Sequence, residues 1–245
     1  MLLLRSLIFD FLMYATMLVY GIIFAPYALV SREGAYLACR TYCRTVMWYL
    51  KVICNLRCEI RGKVPEGSVI VCSKHQSFLD ILMLFEAMPR AKFILKAELK
   101  WAPVLGLYAM RIGSTPVARG KKGGAVKAMV AGVEKEAGDA GQLVIYPQGT
   151  RVLPGAKLPY KVGAGVLYDR LGQDCVPAAT NVGVFWARRS RYRHPGLAVV
   201  EFLEPIKAGM EIKPFLAVLE ERVETASNKL MEEAGFDVAG AQAKS

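Results

Sequence analysis

From Phe11 to Val30 the chain runs for twenty residues without a charge. A run of that length either spans a hydrocarbon layer as a helix or must be covered by other protein. Arg5 and Asp10 precede it, and Gly21 and Pro26 weaken a regular helix near its end. A cleaved leader is the alternative, but no small-residue cleavage site is evident and the run exceeds the usual ~7–15-residue apolar core. The next segment, Gly34 to Leu56, is amphipathic: Arg40, Arg44 and Lys51 are set among Tyr36, Tyr42, Trp48, Tyr49 and aliphatic residues. Tyrosine and tryptophan mixed with cations suit an interface helix. Residues 1–56 are therefore expected to form a spanning helix plus an interfacial helix, or a helical hairpin dipped into one leaflet. Packing as core helices of a soluble domain is the competing arrangement. The cations beyond residue 30 (Arg32, Arg40, Arg44, Lys51, Arg57, Arg61 and Lys63) place that flank on the cytoplasmic side.

Charge and composition point the same way. A net charge of +11 and a pI near 9.4 favour an anionic partner: nucleic acid, an anionic bilayer or a phosphorylated substrate. The hydrophobic share of 54% exceeds the globular norm of about 45–50%, which favours membrane over nucleic acid. Six cysteines form no C-x-x-C pair and only two histidines are present, so a zinc site is not expected. Free cysteines packed as small hydrophobes fit a reducing, cytosol-facing location.

From Arg57 the pattern changes to short β-branched runs alternating with helical periods, which defines residues 57–245 as a second unit. Strands are expected at Arg57–Arg61, Ser68–Cys72, Lys92–Leu95, Thr115–Ala118, Gln142–Tyr146, Val176–Val182 and Ala198–Leu203. Helices are expected at Phe78–Met88, Glu98–Met110, Gly123–Ala137, Gly163–Leu171 and Pro214–Ala234. The alternation predicts an α/β fold with a mixed, largely parallel sheet flanked by helices. In such sheets functional residues collect in loops at the carboxyl ends of strands.

One of those loops holds Ser73-Lys74-His75-Gln76-Ser77-Phe78-Leu79-Asp80. Five helical steps turn about 140° beyond a full turn, so His75 and Asp80 would diverge on one continuous helix. They meet only if His75 is in the loop and Asp80 in the first helical turn. Ser77 as N-cap with Asp80 three residues later, the capping-box spacing, supports that geometry. A carboxylate accepting from one ring nitrogen fixes the tautomer and leaves the other nitrogen to take a proton. The plainer alternative is that Asp80 only caps a helix.

Further blocks follow. Gly113 permits a tight turn, and Lys96 and Arg119 together could hold a phosphate. After the apolar strand Leu143–Ile145 comes Tyr146-Pro147-Gln148-Gly149-Thr150-Arg151, in which Gly149 allows close backbone approach and Arg151 offers a planar fork for phosphate. Lys161 adds a cation near a helix start. Cys175–Asn181 reads as a structural strand, with Pro177 suited to an edge or start position. The Arg188–His194 cluster beside Phe185 and Trp186 suits lipid headgroups, and the last helix presents a simple packing face.

Taken in order, over roughly residues 70–182, these blocks resemble the 1-acylglycerol-3-phosphate acyltransferase family of bacterial membranes. The family's H-x4-D block is matched by His75 and Asp80, its Gly-Thr-Arg by Gly149, Thr150 and Arg151, and its Val-Pro by Val176 and Pro177. Gly113 and Arg119 match a further block in which Pro116 replaces an aromatic, and Gln148 replaces a glutamate. The resemblance implies His75 as general base with Asp80 orienting it. It implies acceptor binding by Lys96, Gly113, Arg119, Gln148, Gly149, Thr150 and Arg151. Its implied partners are lysophosphatidate, an acyl-carrier-protein or acyl-CoA donor and anionic membrane lipids, with no nucleic acid, no metal and no cofactor. It implies a bacterial inner membrane location with the site facing the cytoplasm. Gln148 and Pro116 keep another lyso-lipid acceptor open, such as lyso-ornithine lipid, as does a non-catalytic lipid-binding protein of the same fold.

Overall fold

A computed structural model describes residues 1–118, 124–135 and 140–243. The helices are α1 (Leu2–Ile23), α2 (Ala25–Val30), α3 (Arg32–Cys54), α4 (Leu79–Ala87), α5 (Leu105–Arg111), α6 (Gly124–Lys135), α7 (Val162–Leu171), α8 (Val182–Phe185), α9 (Ile212–Glu233) and α10 (Val238–Gln242). The strands are β1 (Leu56–Arg61), β2 (Val69–Ser73), β3 (Ala91–Lys96), β4 (Thr115–Val117), β5 (Gln142–Ile145), β6 (Cys175–Thr180) and β7 (Gly196–Phe202). Among the described residues the strands form one sheet in the order β1-β7-β6-β2-β5-β3-β4. Every neighbouring pair is parallel except β6–β7.

A parallel sheet is covered on both faces, so its central strands carry apolar residues at successive positions. In β2, Val71 faces the core that contains α3 and α4, while Ile70 and Cys72 face the core that contains α6, α7 and α9. In β5, Val144 takes the first side and Leu143 and Ile145 the second. The parallel run also sends the carboxyl ends of β2, β5, β3 and β4 to one edge of the sheet, with the loops that follow them.

The N-terminal helices join the first of these cores. Phe9, Met13, Val46 and Leu50 share it with Leu56, Val71, Leu79 and Trp186. α1 and α3 run as a hairpin, pinned by Thr16 Oγ1 to Tyr49 Oη at 3.1 Å and Tyr20 Oη to Thr45 Oγ1 at 3.2 Å. α3 is fastened to the sheet layer by Arg40, which donates to the carbonyls of Met88 and Pro89. Arg111 at the end of α5 donates to the carbonyls of Ala28 and Leu29 in α2. The outer side of α1 is apolar and bare, with Leu4, Phe11, Tyr14, Leu18 and Ile22 exposed. By length and composition α1 is long and apolar enough to cross a membrane.

The structure departs from the sequence reading in four places. The helix expected over Glu98–Met110 is broken: a 3-10 turn, Ala97–Trp101, precedes α5. Pro103 and a tight turn at Val104 (φ 60°, ψ −64°), closed by Leu105 N–H to the Pro103 carbonyl at 2.6 Å, separate them. The strand expected to reach Val182 stops at Thr180, where the Asn181 side chain bridges Leu197 O, Leu230 O and Val199 N–H. β6 is an interior strand, not an edge; Pro177 falls between the Cys175–Ile206 bridge and the first β7 pair, Ala178–Phe202, where the ladder is already broken. Arg193 of the basic cluster is not a headgroup contact, for it is only 5% exposed. Its guanidinium pairs with Asp10 of α1 at 2.5 Å and lies 4.3 Å from the centre of the Trp186 ring. Gly123 and residues 136–137 of the helix expected over Gly123–Ala137 lie outside the described residues.

The Asp10–Arg193 pair therefore fastens α1 to the loop before β7. Asp10→Ala, which strands a buried guanidinium, should cost on the order of 2 kcal/mol in detergent. Asp10→Ala with Arg193→Met should cost less than Asp10→Ala alone. Thermal unfolding of both variants checks the order.

Candidate active site

β2 ends at Ser73 and α4 begins at Leu79, leaving a five-residue loop that contains His75. Asp80, in the first turn of α4, is fully buried. One oxygen, Oδ2, accepts from the backbone N–H groups of Gln76 (2.9 Å) and Ser77 (2.8 Å). Ser77 Oγ in turn accepts from Leu79 N–H at 3.1 Å, so the predicted capping box is half formed: the helix cap falls one residue later, at Phe78, and the hydroxyl bonds two residues on instead of three. The other oxygen, Oδ1, stands 2.9 Å from His75 Nδ1. The capping role and the histidine-orienting role are thus both filled, each by its own oxygen.

Oδ1 also accepts from Tyr146 Oη at 3.1 Å. The Tyr146 ring stacks on the His75 ring, centroids 3.9 Å apart and planes 18° from parallel. Burial, reinforced by the Asp80 charge, holds the Tyr146 phenol well above its ordinary range, so it remains a donor. His75 is left with its Nδ1 side fixed and Nε2 without a hydrogen bond among the described residues; its side chain is 13% exposed. A neutral imidazole held in this way presents a lone pair at Nε2 and can take a proton there.

The loop after β5 lies against this pair. Gly149 (φ 70°) turns the chain, closed by its own N–H to the Tyr146 carbonyl at 2.8 Å. A side chain at 149 would meet Lys161, whose Nζ lies 2.9 Å from the position of an added Cβ. Val152 N–H donates to the His75 carbonyl at 2.7 Å, which locks this loop to the histidine loop. Arg151 is exposed, and Arg188 Nη1 reaches Thr150 Oγ1 and the Arg151 carbonyl, each at 3.4 Å.

The structure brings His75, Asp80, Gly149, Thr150 and Arg151 together. Lys96 stands at the end of β3 on the same sheet edge, paired with Glu98 at 3.3 Å. Gly113 (φ 80°) is elsewhere: it closes the end of α5, before β4 begins, and so serves a turn at the opposite end of that strand. Gln148 is 1% exposed; its amide donates to Leu158 O and Glu224, inside the wall behind the loop. Arg119 lies outside the described residues. Sequence reasoning missed Tyr146, Lys74, Arg188 and Glu224 as parts of the site. The first two stood inside the quoted blocks, whereas Arg188 was one cation among several and Glu224 carried no local signal.

A histidine oriented by a buried acid, in a strand-to-helix loop beside a Gly-Thr-Arg loop, is an arrangement able to take a proton from a hydroxyl. The acyltransferase family model matches residues 55–181, and the chain belongs to that family. The 1-acyl-sn-glycerol-3-phosphate acyltransferase of Pseudomonas aeruginosa is 25% identical over 94% of this chain and 91% of its own length. The human 1-acyl-sn-glycerol-3-phosphate acyltransferase alpha is 30% identical over 66% of this chain, which spans 59% of that relative. The crystal structure of the 1-acyl-sn-glycerophosphate (LPA) acyltransferase, PlsC, from Thermotoga maritima superposes with a TM-score of 0.77 at 18% identity. That match covers 94% of this chain and 95% of the other, and it shows the shared fold.

The buried tyrosines set a pH expectation. Tyr146 and Tyr160 titrate higher folded than unfolded, both chiefly through burial. Their contribution to stability is complete below the unfolded tyrosine value of about 10 and is lost as pH rises beyond it. The melting temperature should therefore fall as pH rises above about 10, and Tyr146→Phe should flatten that fall.

Proposed function

We propose that the chain transfers an acyl group from an acyl thioester to the sn-2 hydroxyl of 1-acylglycerol-3-phosphate, making phosphatidic acid. The observation that carries this reading is the 2.9 Å His75–Asp80 contact with Nε2 open beside the Gly149–Arg151 loop. The names of the relatives support the substrate class.

In the proposed reaction Nε2 of His75 takes the proton of the acceptor hydroxyl as that oxygen attacks the thioester carbonyl. The tetrahedral intermediate collapses, the carbon–sulfur bond breaks, and the imidazolium returns its proton to the departing thiolate. Asp80 Oδ1 faces the ring nitrogen that carries positive charge in between, and Tyr146 keeps that oxygen aimed. Arg151, with Arg119 and Lys96, holds the acceptor phosphate, and Arg188 is the added cation at Thr150. The donor thiol belongs to acyl carrier protein or coenzyme A. The bare apolar side of α1 rests in lipid at the cytoplasmic face of a bacterial inner membrane, with residues 1–56 as the anchoring part.

Gln148 and Pro116 keep a different lyso-lipid acceptor open. Of the two, the Gln148 side chain faces Glu224 and Leu158, so its neutral amide bears on the loop wall.

Detergent-solubilised protein is to be given lysophosphatidate and lyso-ornithine lipid, each with both donors. Phosphatidic acid should form from lysophosphatidate alone, and His75→Ala should lower kcat by about 10³-fold or more and Asp80→Asn by about 10²–10⁴. Full turnover by His75→Ala, or acylation of lyso-ornithine lipid only, sinks the proposal.

A further inference from the structure

Behind the site lies a polar cluster that the mechanism above does not use. Lys74, the residue before His75, is 1% exposed and places Nζ 2.5 Å from Glu224 Oε2 on α9. The second oxygen, Oε1, accepts from Tyr160 Oη at 3.2 Å and from Gln148 Nε2 at 3.4 Å. Tyr160 precedes Lys161, whose backbone N–H donates to Pro147 O at 3.0 Å and whose Nζ covers Gly149. One carboxylate thus touches the histidine loop, the Gly149–Arg151 loop and the strap that lies over Gly149. A fully buried ammonium needs a negative partner. Among the described residues Glu224 is the one carboxylate within ion-pair distance of it.

Gln148 and Glu224 face each other across 3.4 Å, and glutamine and glutamate have the same shape and reach. A carboxylate at 148 would occupy the same small chamber as the one at 224. Two there would oppose each other beside a single ammonium; one would suffice at either place.

Taking the proposed transferase reaction as its readout, we propose that Glu224 is a positioning residue. It supplies the one negative charge that sets the Lys74–His75 loop and the Gln148–Arg151 loop at their working separation, and that charge can be carried from position 148 instead.

Three variants test this in full-length protein: Glu224→Gln, Gln148→Glu and the exchange of both. Each single change should lower kcat/KM by about ten-fold or more, since one removes the counter-charge and the other doubles it. The exchange should recover to within about three-fold of the parent, the coupling expected of two groups in contact. Carbethoxylation of His75 by diethyl pyrocarbonate, followed by peptide mass spectrometry, reads the loop without assuming any acceptor. Its rate should change in both single variants and return in the exchange. If the parent acylates no lyso-lipid, the functional reading falls, and the labelling rates still decide this inference. Glu224→Gln with parental kcat/KM and labelling, at a temperature where it is folded, overturns the proposal. So does an exchange variant no better than Glu224→Gln. Should Glu224→Gln fail to fold, a folded, active exchange variant supports the proposal, and an unfolded or inactive one overturns it.

Discussion

The Asp80 carboxylate is the constraint on which the site depends. It is wholly enclosed, and its two oxygens are divided between two tasks. Oδ2 takes two backbone N–H groups at the mouth of α4 and so decides where that helix begins. Oδ1 takes the ring nitrogen of His75 and the phenol of Tyr146. Helix start and ring orientation are therefore one event: the loop cannot shift without moving the imidazole. An enclosed carboxylate is tolerated because four donors surround it. Tyr146 extends the arrangement, since it also stacks on the imidazole and belongs to the strand end that launches the Gly149 loop.

Around this point the fold supplies proximity. β2 and β5 are adjacent and parallel, with Cys72 paired to Ile145, so the loops that follow them emerge side by side. The hydrogen bond from Val152 to the His75 carbonyl then ties them. The hairpin of α1 and α3 covers one face of the same sheet and leaves its own outer side apolar. A cavity of about 60 Å³ lies between α1, α3 and α5, lined by Met17, Gly21, Cys39, Val104 and Tyr108. Gly21 is there because Val104, in its tight turn, comes too close for any side chain.

Much of this could be read from residue order. The strands and the α/β class follow from short apolar runs bounded by turn residues, and such runs announce a sheet buried on both faces. The His75–Asp80 geometry was legible because spacing and a capping pattern agreed on where α4 starts. What escaped reading depends on distant partners. Glu224 sits beside the apolar stripe of α9 formed by Phe215, Leu219 and Val223, and nothing nearby marks it as facing inward; its partner is 150 positions earlier. Arg193 looked like its neighbours Arg188, Arg189 and Arg191, and only the lone acid of α1 draws it inside. Gly113 matched a block but is fixed by the need to end α5, a local requirement that any glycine at that φ would meet.

The partner of Asp10 is 183 residues further along the chain. β1, likewise, finds its one ladder neighbour among the described residues, β7, at Leu56 against Gly196. During synthesis α1 can therefore meet α3 early, whereas the partner of its acid is made much later. The solitary acid of α1, Asp10, gains its partner only once residues up to Arg193 have been made. A contact closed across 183 residues is a long-range one, and pairings of that kind slow folding because loop closure has to precede them.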